Sequence, residues 1–190
     1  MIEDAILQGL LEVIEHDAWM IWQANAITMP QLRNETIQTP YLARIIKHME
    51  ESGLEVIIRN YTTDISIPVF RTWIVNNCDY LDYATNGFGA NLNPDIALER
   101  SISEAYQPMR IRNTEEQLAY GRHRTRDFLN MYGSLYNLDH FNRVDILKNN
   151  PTFDYGLFSN QANSTVADDI KKSFPLLGRL FQMEMLLWLI

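Results

Sequence analysis

Cysteine and basic residues are scarce in this sequence of 190 residues, and long apolar runs are missing. Because Cys78 is the single cysteine, no disulfide can form within the chain. The 16 lysines and arginines are outnumbered by 24 aspartates and glutamates, which gives a formal net charge of -8 at pH 7. Affinity for nucleic acid depends on clustered Lys and Arg, so we predict no nucleic-acid partner.

No stretch reaches the ~18 uncharged apolar residues that a membrane-spanning helix requires. The N-terminus also lacks the basic region, apolar run and cleavage site of a secretory signal. These absences predict a cytoplasmic protein without a membrane partner. A hydrophobic fraction of 46% with 21% charged residues is typical of a globular protein. The length suffices for one sizeable core, so one domain is expected.

The first half of the chain alternates between helical and strand patterns. Apolar residues recur at helical spacing in three segments, which predict helices at residues 3–25, 40–52 and 95–107. For the second helix, Thr39 and Pro40 provide a cap and a first-turn proline. Gly53 is predicted to end it in the left-handed conformation. β-branched and aromatic residues predict two adjacent antiparallel strands at 54–61 and 67–75.

Turn-forming and helix-breaking residues predict further boundaries. Asparagines and glycines at 86–95 predict a loop that leads into the third helix, and Pro108 is expected to end that helix. A fourth helix is predicted from Asn113 or Thr114 to Gly133, and a last one at about 164–174. No repeat or linker divides the chain.

Glu12 and Glu15 form the most suggestive pair of charged residues. At positions i and i+3 of the first helix, they project from one face roughly 4.5 Å apart along the axis. In phosphoryl-transfer sites, Mg²⁺ is held by one or two carboxylates while substrate phosphates complete its octahedron. The pair therefore indicates either a magnesium site or an ordinary solvated helix face.

The third helix repeats this spacing. Glu104 and Gln107 stand three residues apart, and Glu104 follows Arg100 by one helical turn. The Gly-Phe-Gly sequence before the helix could bring backbone amides near an anion. It lacks the later glycine and the strand–turn–helix setting of a dinucleotide fingerprint. An anion-binding loop and an ordinary tight loop are both open at this point.

Four segments, in this order, resemble the YcaO family: residues 9–18, 54–56, 63–69 and 87–107. The resemblance covers about residues 5–110. It implies an α+β fold in which a mixed or antiparallel sheet packs with helices, and a site for ATP and Mg²⁺ without a Walker-type loop. By motif, the implied magnesium ligands are Glu12, Glu15 and Glu104. The implied nucleotide-binding residues are these three with Arg100 and Gln107, and no catalytic residue is assigned.

The activity that the resemblance implies is ATP-dependent activation of peptide backbone amides in the modification of ribosomally made peptides. In that chemistry a nucleophile adds to the carbonyl carbon and ATP phosphorylates the amide oxygen. Loss of phosphate then gives an azoline, a thioamide or an amidine. The implied partners are a precursor peptide and a protein that binds its leader. The alternative is an inactive remnant of the family that serves as a binding or scaffold module.

The resemblance also implies that the family's upstream serine-containing segment, closing strand and proline-rich C-terminus are missing. We therefore expect residues 1–190 to form a single YcaO-like domain that is a fragment of the family fold. The chain ends in an apolar tail, residues 176–190, with almost no helical period. Large exposed apolar patches mark interaction sites. This tail is predicted to pack against a second copy of the chain, as a homodimer, or to occupy the groove of the absent strand.

Overall fold

The computed structural model describes residues 2–25, 29–76, 83–111 and 151–187. The helices of these residues are α1 (Ile2–Asn25), α2 (Pro40–Glu51), α3 (Pro94–Ile111) and α4 (Val166–Leu187). The strands are β1 (Gln31–Leu32), β2 (Leu54–Asn60), β3 (Val69–Asn76), β4 (Tyr83–Ala90) and β5 (Thr152–Phe153). Short 3₁₀ turns lie at Asn34–Thr36 and Tyr155–Leu157. The predicted α+β fold class is confirmed.

The strands form one mixed sheet with the order β4-β3-β2-β1-β5. β2, β3 and β4 are consecutive antiparallel neighbours, in which Val56 pairs with Ile74 and Thr72 pairs with Gly87. β1 is antiparallel to β2, and β5 is parallel to β1. The antiparallel strand pair expected from the β-branched segments is therefore confirmed as β2 and β3.

Alternate residues of the sheet face two separate hydrophobic cores. On one side, Phe70 and Ile74 of β3 contact buried residues of α2 and α3, among them Leu42, Ile46, Leu98 and Ile102. On the other side, Val69 lies in a cluster with Leu11, Ile14 and Ala18 of α1. Burying one such aliphatic side chain contributes about 1.5–3 kcal/mol. α1 and α3 are thus held on opposite faces of the same sheet.

The caps of α2 follow the sequence pattern in part. Gly53, two residues after the helix ends, has a φ of 83°, so the predicted left-handed conformation is confirmed. Thr39 occupies the N-cap position but makes no side-chain capping bond. Its hydroxyl donates instead to Asp95 Oδ1 of α3, at 2.6 Å, and so joins the starts of the two helices.

Two prolines lie inside helices, contrary to the predicted boundaries. α3 continues past Pro108 to Ile111, so the prediction that this proline ends the helix is wrong. α4 contains Pro175 and extends to Leu187, so the predicted end near residue 174 is also wrong. An interior proline removes one helical hydrogen bond and costs about 3 kcal/mol. Leu176, the residue after Pro175, packs against the core that contains α1, and such packing offsets part of this cost.

β4 replaces most of the loop predicted at residues 86–95. Gly87 and Gly89 are strand residues that face α3, so neither an anion-binding loop nor a tight turn forms there. The turn comes only after Ala90. Asn91 Oδ1 accepts the backbone N–H of Asn93 at 2.9 Å, and Asn93 Oδ1 accepts that of Asp95 at 3.0 Å. These side chains lead the chain into α3.

Some sequence-based predictions fall on residues or side chains outside the described parts of the chain. The fourth helix, predicted at 113–133, lies outside the described residues. The C-terminal tail is helical as far as Leu187, but its last side chains are not described, so the homodimer remains a prediction. Among the described residues, no helix is both long and apolar enough to span a membrane.

Candidate functional site

The side chains of α1 point in three directions. Its buried face includes Leu11, Ile14 and Ala18, and its outer face includes the exposed residues Val13 and Met20. Glu15 lies between these two faces and is partly buried. Gln8 and Glu12 precede it by two turns and one turn on the same side of the helix. This side of α1 runs towards the end of β4.

Glu15 lies where α1 meets β4. Its carboxylate accepts a hydrogen bond from the backbone N–H of Ala90, the last residue of that strand. One turn later on α1, the Trp19 ring lies 5.9 Å from the Phe88 ring, measured between centroids. Two contacts to neighbouring parts of one strand therefore fix this turn of α1.

Arg71 also contacts Phe88. Its guanidinium carbon lies 4.6 Å from the centroid of the Phe88 ring and 4.3 Å from that of Trp73. It also donates a 3.1 Å hydrogen bond to Asn86 Oδ1. Burial lowers the pKa of Arg71, and attraction to the ring faces, worth about 0.5–2 kcal/mol, offsets part of that cost. Phe88 of β4 thus contacts both Arg71 and Trp19, two residues before Ala90.

α3 brings Arg100 and Glu104 to the same place from the opposite face of the sheet. A Cβ atom on Gly87 would lie 2.7 Å from the carbonyl carbon of Glu104, and one on Gly89 would lie 2.9 Å from Arg100 Cβ. The two glycines therefore allow α3 to lie directly on β4. Because β4 is the terminal strand of the described sheet, α1 and α3 approach each other around it. An Arg100 N–H donates to Gln8 Oε1 and joins the two helices.

The pKa of Glu15 reflects the approach of the two helices. Burial raises its pKa to about 7, and the negative charge of Glu104 is the next largest cause. Arg100 opposes the shift, while Glu12 adds a small increase. The carboxylates of two helices and one arginine thus form a single electrostatic group. We call Glu12, Glu15, Glu104 and Arg100 the acidic cluster.

Four of the five residues predicted for the site therefore lie together, and the fifth does not join them. Gln107 is exposed one turn beyond Glu104, and the structure gives it no described contact with the cluster. Sequence reasoning missed two further groups that contact these residues, the Gln8 side chain and the backbone N–H of Ala90. Gln8 could have been found from its position one turn before Glu12. The N–H of Ala90 could not, because a backbone donor has no sequence signal.

The cluster fits Mg²⁺ held jointly with phosphate. Within the described residues, no three His, Cys, Asp or Glu side chains stand close enough to enclose one metal ion. Mg²⁺ commonly uses only one or two protein carboxylates, with phosphate and water as its other ligands. A cation would also relieve the repulsion between Glu15 and Glu104. Metal binding by Glu12, Glu15 and Glu104 remains a prediction.

The raised pKa of Glu15 makes stability depend on pH in a defined direction. Between pH 4.5 and about 7, the folded protein holds a proton that the unfolded chain has lost. The free energy of unfolding should therefore fall as pH rises through this interval, by roughly 1–2 kcal/mol after solvent screening. Glu15→Gln should remove the fall, and Glu12→Gln, an exposed position on the same helix, should largely keep it. Urea unfolding at pH 4.5 and 8 measures this, and equal pH dependence in wild type and Glu15→Gln would contradict it.

Carboxylates from two helices, gathered beside an arginine at the end of an α+β sheet, are the side-chain types that would suit a hard cation bound together with an anion. The family model described as YcaO cyclodehydratase, ATP- and Mg²⁺-binding, matches residues 1–180. The chain belongs to the YcaO family.

Two curated relatives match 55% of this chain. One, an uncharacterized protein of Methanothermobacter thermautotrophicus, is 28% identical over 107 residues, which are 28% of its own length. The other, an uncharacterized protein in the tfuA 3′ region of Rhizobium leguminosarum bv. trifolii, is 29% identical over 116 residues, which are 27% of its length. The chain thus spans little more than a quarter of these relatives.

Solved structures with similar folds cover nearly the whole chain. A heterocyclase in complex with substrate and cofactor has a TM-score of 0.71 at 20% identity, over 95% of this chain and 23% of its own. YcaO from Methanopyrus kandleri, bound with AMPPCP and Mg²⁺, has a TM-score of 0.58 at 20% identity, over 96% and 45%. The E. coli microcin synthetase McbBCD complex with pro-MccB17 bound has 0.57 at 16% identity, over 96% and 45%. At these identities the likeness establishes the fold.

Proposed function

We propose that this chain supplies the Mg²⁺-ATP site of an enzyme that activates peptide backbone amides. The observation that carries the proposal is the acidic cluster, in which two helices from opposite faces of the sheet bring together three carboxylates and an arginine. Membership of an ATP- and Mg²⁺-binding family supports it. The related structure from Methanopyrus kandleri, which contains AMPPCP and Mg²⁺, supports the same ligand class.

The residues of the cluster would divide the binding of Mg²⁺-ATP between them. Glu12, Glu15 and Glu104 provide carboxylate oxygens, the ligand type that Mg²⁺ prefers. Arg100 provides a cation for the phosphates. Gln107, exposed on the same helix, is assigned to the nucleotide only by its place in the family motif. The bound cation supplies charge neutralisation for the phosphates and for the carboxylates that face them.

The proposed reaction does not require a protein nucleophile. A thiol, hydroxyl, sulfide or amine adds to the carbonyl carbon of the peptide, and the resulting oxyanion takes the γ-phosphoryl group of ATP, with release of ADP. Expulsion of phosphate, with loss of a proton from the amide nitrogen or from the added sulfur or nitrogen, then leaves the azoline, thioamide or amidine. Phosphoryl transfer of this kind depends on positioning and charge neutralisation, which Mg²⁺ held by the acidic cluster would supply together with Arg100.

The substrate and partners are proposed by the same reasoning. One similar structure is a heterocyclase in complex with substrate and cofactor, and another is the microcin synthetase McbBCD complex with pro-MccB17 bound. We therefore propose a precursor peptide as the substrate and a separate peptide-binding protein as a partner. Association with a second copy through the apolar C-terminal tail is a further proposal.

Isothermal calorimetry tests the proposed function directly. The purified chain of 190 residues should bind the non-hydrolysable analogue AMPPCP in the presence of Mg²⁺, and binding should be at least tenfold weaker when EDTA removes the metal. Mg²⁺ alone should bind weakly because it commonly takes only one or two protein carboxylates, which leaves most of its octahedron to water. Absence of heat with Mg²⁺-AMPPCP, or equal affinity with EDTA, would refute the proposed site.

A further inference from the structure

The contact between Arg100 and Gln8 is the direct side-chain bond described between the two helices of the acidic cluster. Arg100 comes from α3 and Gln8 from α1, 92 residues apart in sequence, and both side chains are partly buried. Gln8 lies on the side of α1 that also carries Glu12 and Glu15. One helix face therefore presents an amide to the arginine and two carboxylates to the same region.

A neutral partner such as Gln8 is unusual for an arginine that lies near several carboxylates. Among the described residues Arg100 makes no ion pair, although its charge lowers the pKa of Glu15. Its described hydrogen bond goes to a neutral amide oxygen. A carboxylate partner would neutralise the guanidinium, whereas an amide fixes its position and leaves its full charge. Within the described part of the chain, no hydrogen bond from the other N–H groups of this guanidinium is found, and these groups could donate to an anion.

We propose that Gln8 is a positioning residue that holds Arg100 ready for the polyphosphate of the nucleotide. This inference rests on the proposed function and assigns a role to a residue outside the four segments on which the family resemblance was based. Gln8 does not contact the phosphates in this scheme. It acts through Arg100, because a flexible arginine fixed beforehand loses less conformational entropy when the anion binds.

A double-mutant cycle tests whether Gln8 acts through Arg100. The dissociation constant of Mg²⁺-AMPPCP is measured by calorimetry for wild type, Gln8→Ala, Arg100→Ala and the double variant. We expect Gln8→Ala to weaken binding about fivefold to tenfold and Arg100→Ala to weaken it further. The double variant should equal Arg100→Ala alone, because Gln8 has nothing left to position. Gln38→Ala, the same substitution at an exposed residue away from the site, should bind as wild type does.

Two further measurements separate positioning from a structural role. Adenosine has no phosphates, so its affinity should be the same for wild type and Gln8→Ala. Gln8→Glu preserves the shape of the side chain but places a carboxylate on Arg100, and it should weaken Mg²⁺-AMPPCP at least as much as Gln8→Ala does. This isosteric variant also serves if Gln8→Ala fails to fold.

The outcomes distinguish this inference from the proposed function. If wild type binds Mg²⁺-AMPPCP and Gln8→Ala binds equally well, the inference is overturned while the proposed function stands. It is also overturned if the losses from Gln8→Ala and Arg100→Ala multiply in the double variant, if adenosine is weakened in parallel, or if Gln8→Glu binds as wild type does. A wild-type chain that does not bind Mg²⁺-AMPPCP overturns both.

Discussion

Glu15→Gln is expected to abolish the stabilisation of this protein by Mg²⁺-ATP while making the ligand-free protein more stable at pH 8. The two effects have opposite signs because one charge serves two purposes. Without a cation, the Glu15 carboxylate is partly buried beside Glu104, which raises its pKa to about 7. With a cation, the same carboxylate is a proposed ligand. The neutral amide of Glu15→Gln removes the repulsion from Glu104 and also weakens the metal site.

The loss of stabilisation by Mg²⁺-ATP that we expect in Glu15→Gln is large. A ligand at a hundred times its dissociation constant stabilises the folded state by about 2.7 kcal/mol. For a protein of this size, that corresponds to roughly 5–10 °C in Tm. Thermal unfolding at pH 8, with and without Mg²⁺-ATP, should show this shift for wild type and little or none for Glu15→Gln. Glu104→Gln should lose it as well, because it removes the second helix's contribution.

Glu99→Gln is the matched control for the α3 variant. Glu99 is also an exposed glutamate of α3, but its carboxylate accepts the Tyr41 hydroxyl at 3.0 Å, on the side of α2. It should keep the full shift. An unchanged shift in Glu15→Gln, or no shift in wild type, would contradict the assignment of the acidic cluster to Mg²⁺-ATP.

The resemblance to the YcaO family indicated the members of this cluster, and spacing explains only why members on one helix lie together, because a helix places residues three or four apart on one side. Glu12 and Glu15 share a side of α1 for that reason, and Arg100 and Glu104 share a side of α3. That the two helices meet depends on the sheet between them, on its strand order and on how closely α3 lies against β4. Local spacing carries none of this long-range information.

The largest error in the fold has a physical cause in β4. Asn86, Gly87 and Gly89 are residues that favour turns, so a local pattern predicts a loop. In the structure they are paired with β3, Gly87 opposite Thr72, and the glycines are required by contact with α3 rather than by a turn. β1 and β5 were missed because each has two residues, too few to show a period of two.

Pro108 and Pro175 are a second case in which the local sequence pattern predicts the wrong structure, here within helices. A proline disfavours the helix locally, and that cost is all a sequence pattern can represent. Burial of the helix against the rest of the protein is not visible locally. Ala105 and Ile102, in the turns before Pro108, are buried against the sheet. Tertiary packing therefore decided where this helix continues.

Gly87→Ala tests the close contact of α3 and β4 on which the cluster depends. The added Cβ would lie 2.6 Å from the carbonyl oxygen of Ser101 and 2.7 Å from the carbonyl carbon of Glu104. Both are backbone atoms of α3, so no side-chain rotation can relieve the clash, and the helix must move away from the strand. Overpacking of this kind typically costs 1–3 kcal/mol, and we expect about 3 kcal/mol or more here.

Because the clash involves the backbone of Glu104 itself, Gly87→Ala should also disturb the acidic cluster. We expect Tm to fall by roughly 6–12 °C and the remaining folded protein to lose most of its stabilisation by Mg²⁺-ATP. Gly9→Ala is the control within the same chain. A Cβ at Gly9 meets no atom within 4 Å, so this exposed helical position should gain about 0.5–1 kcal/mol from the better helix former. Equal Tm values for the two variants would mean that α3 does not lie on β4 as closely as the glycines indicate. The convergence of Glu15 with Glu104, which depends on that contact, would then fail with it.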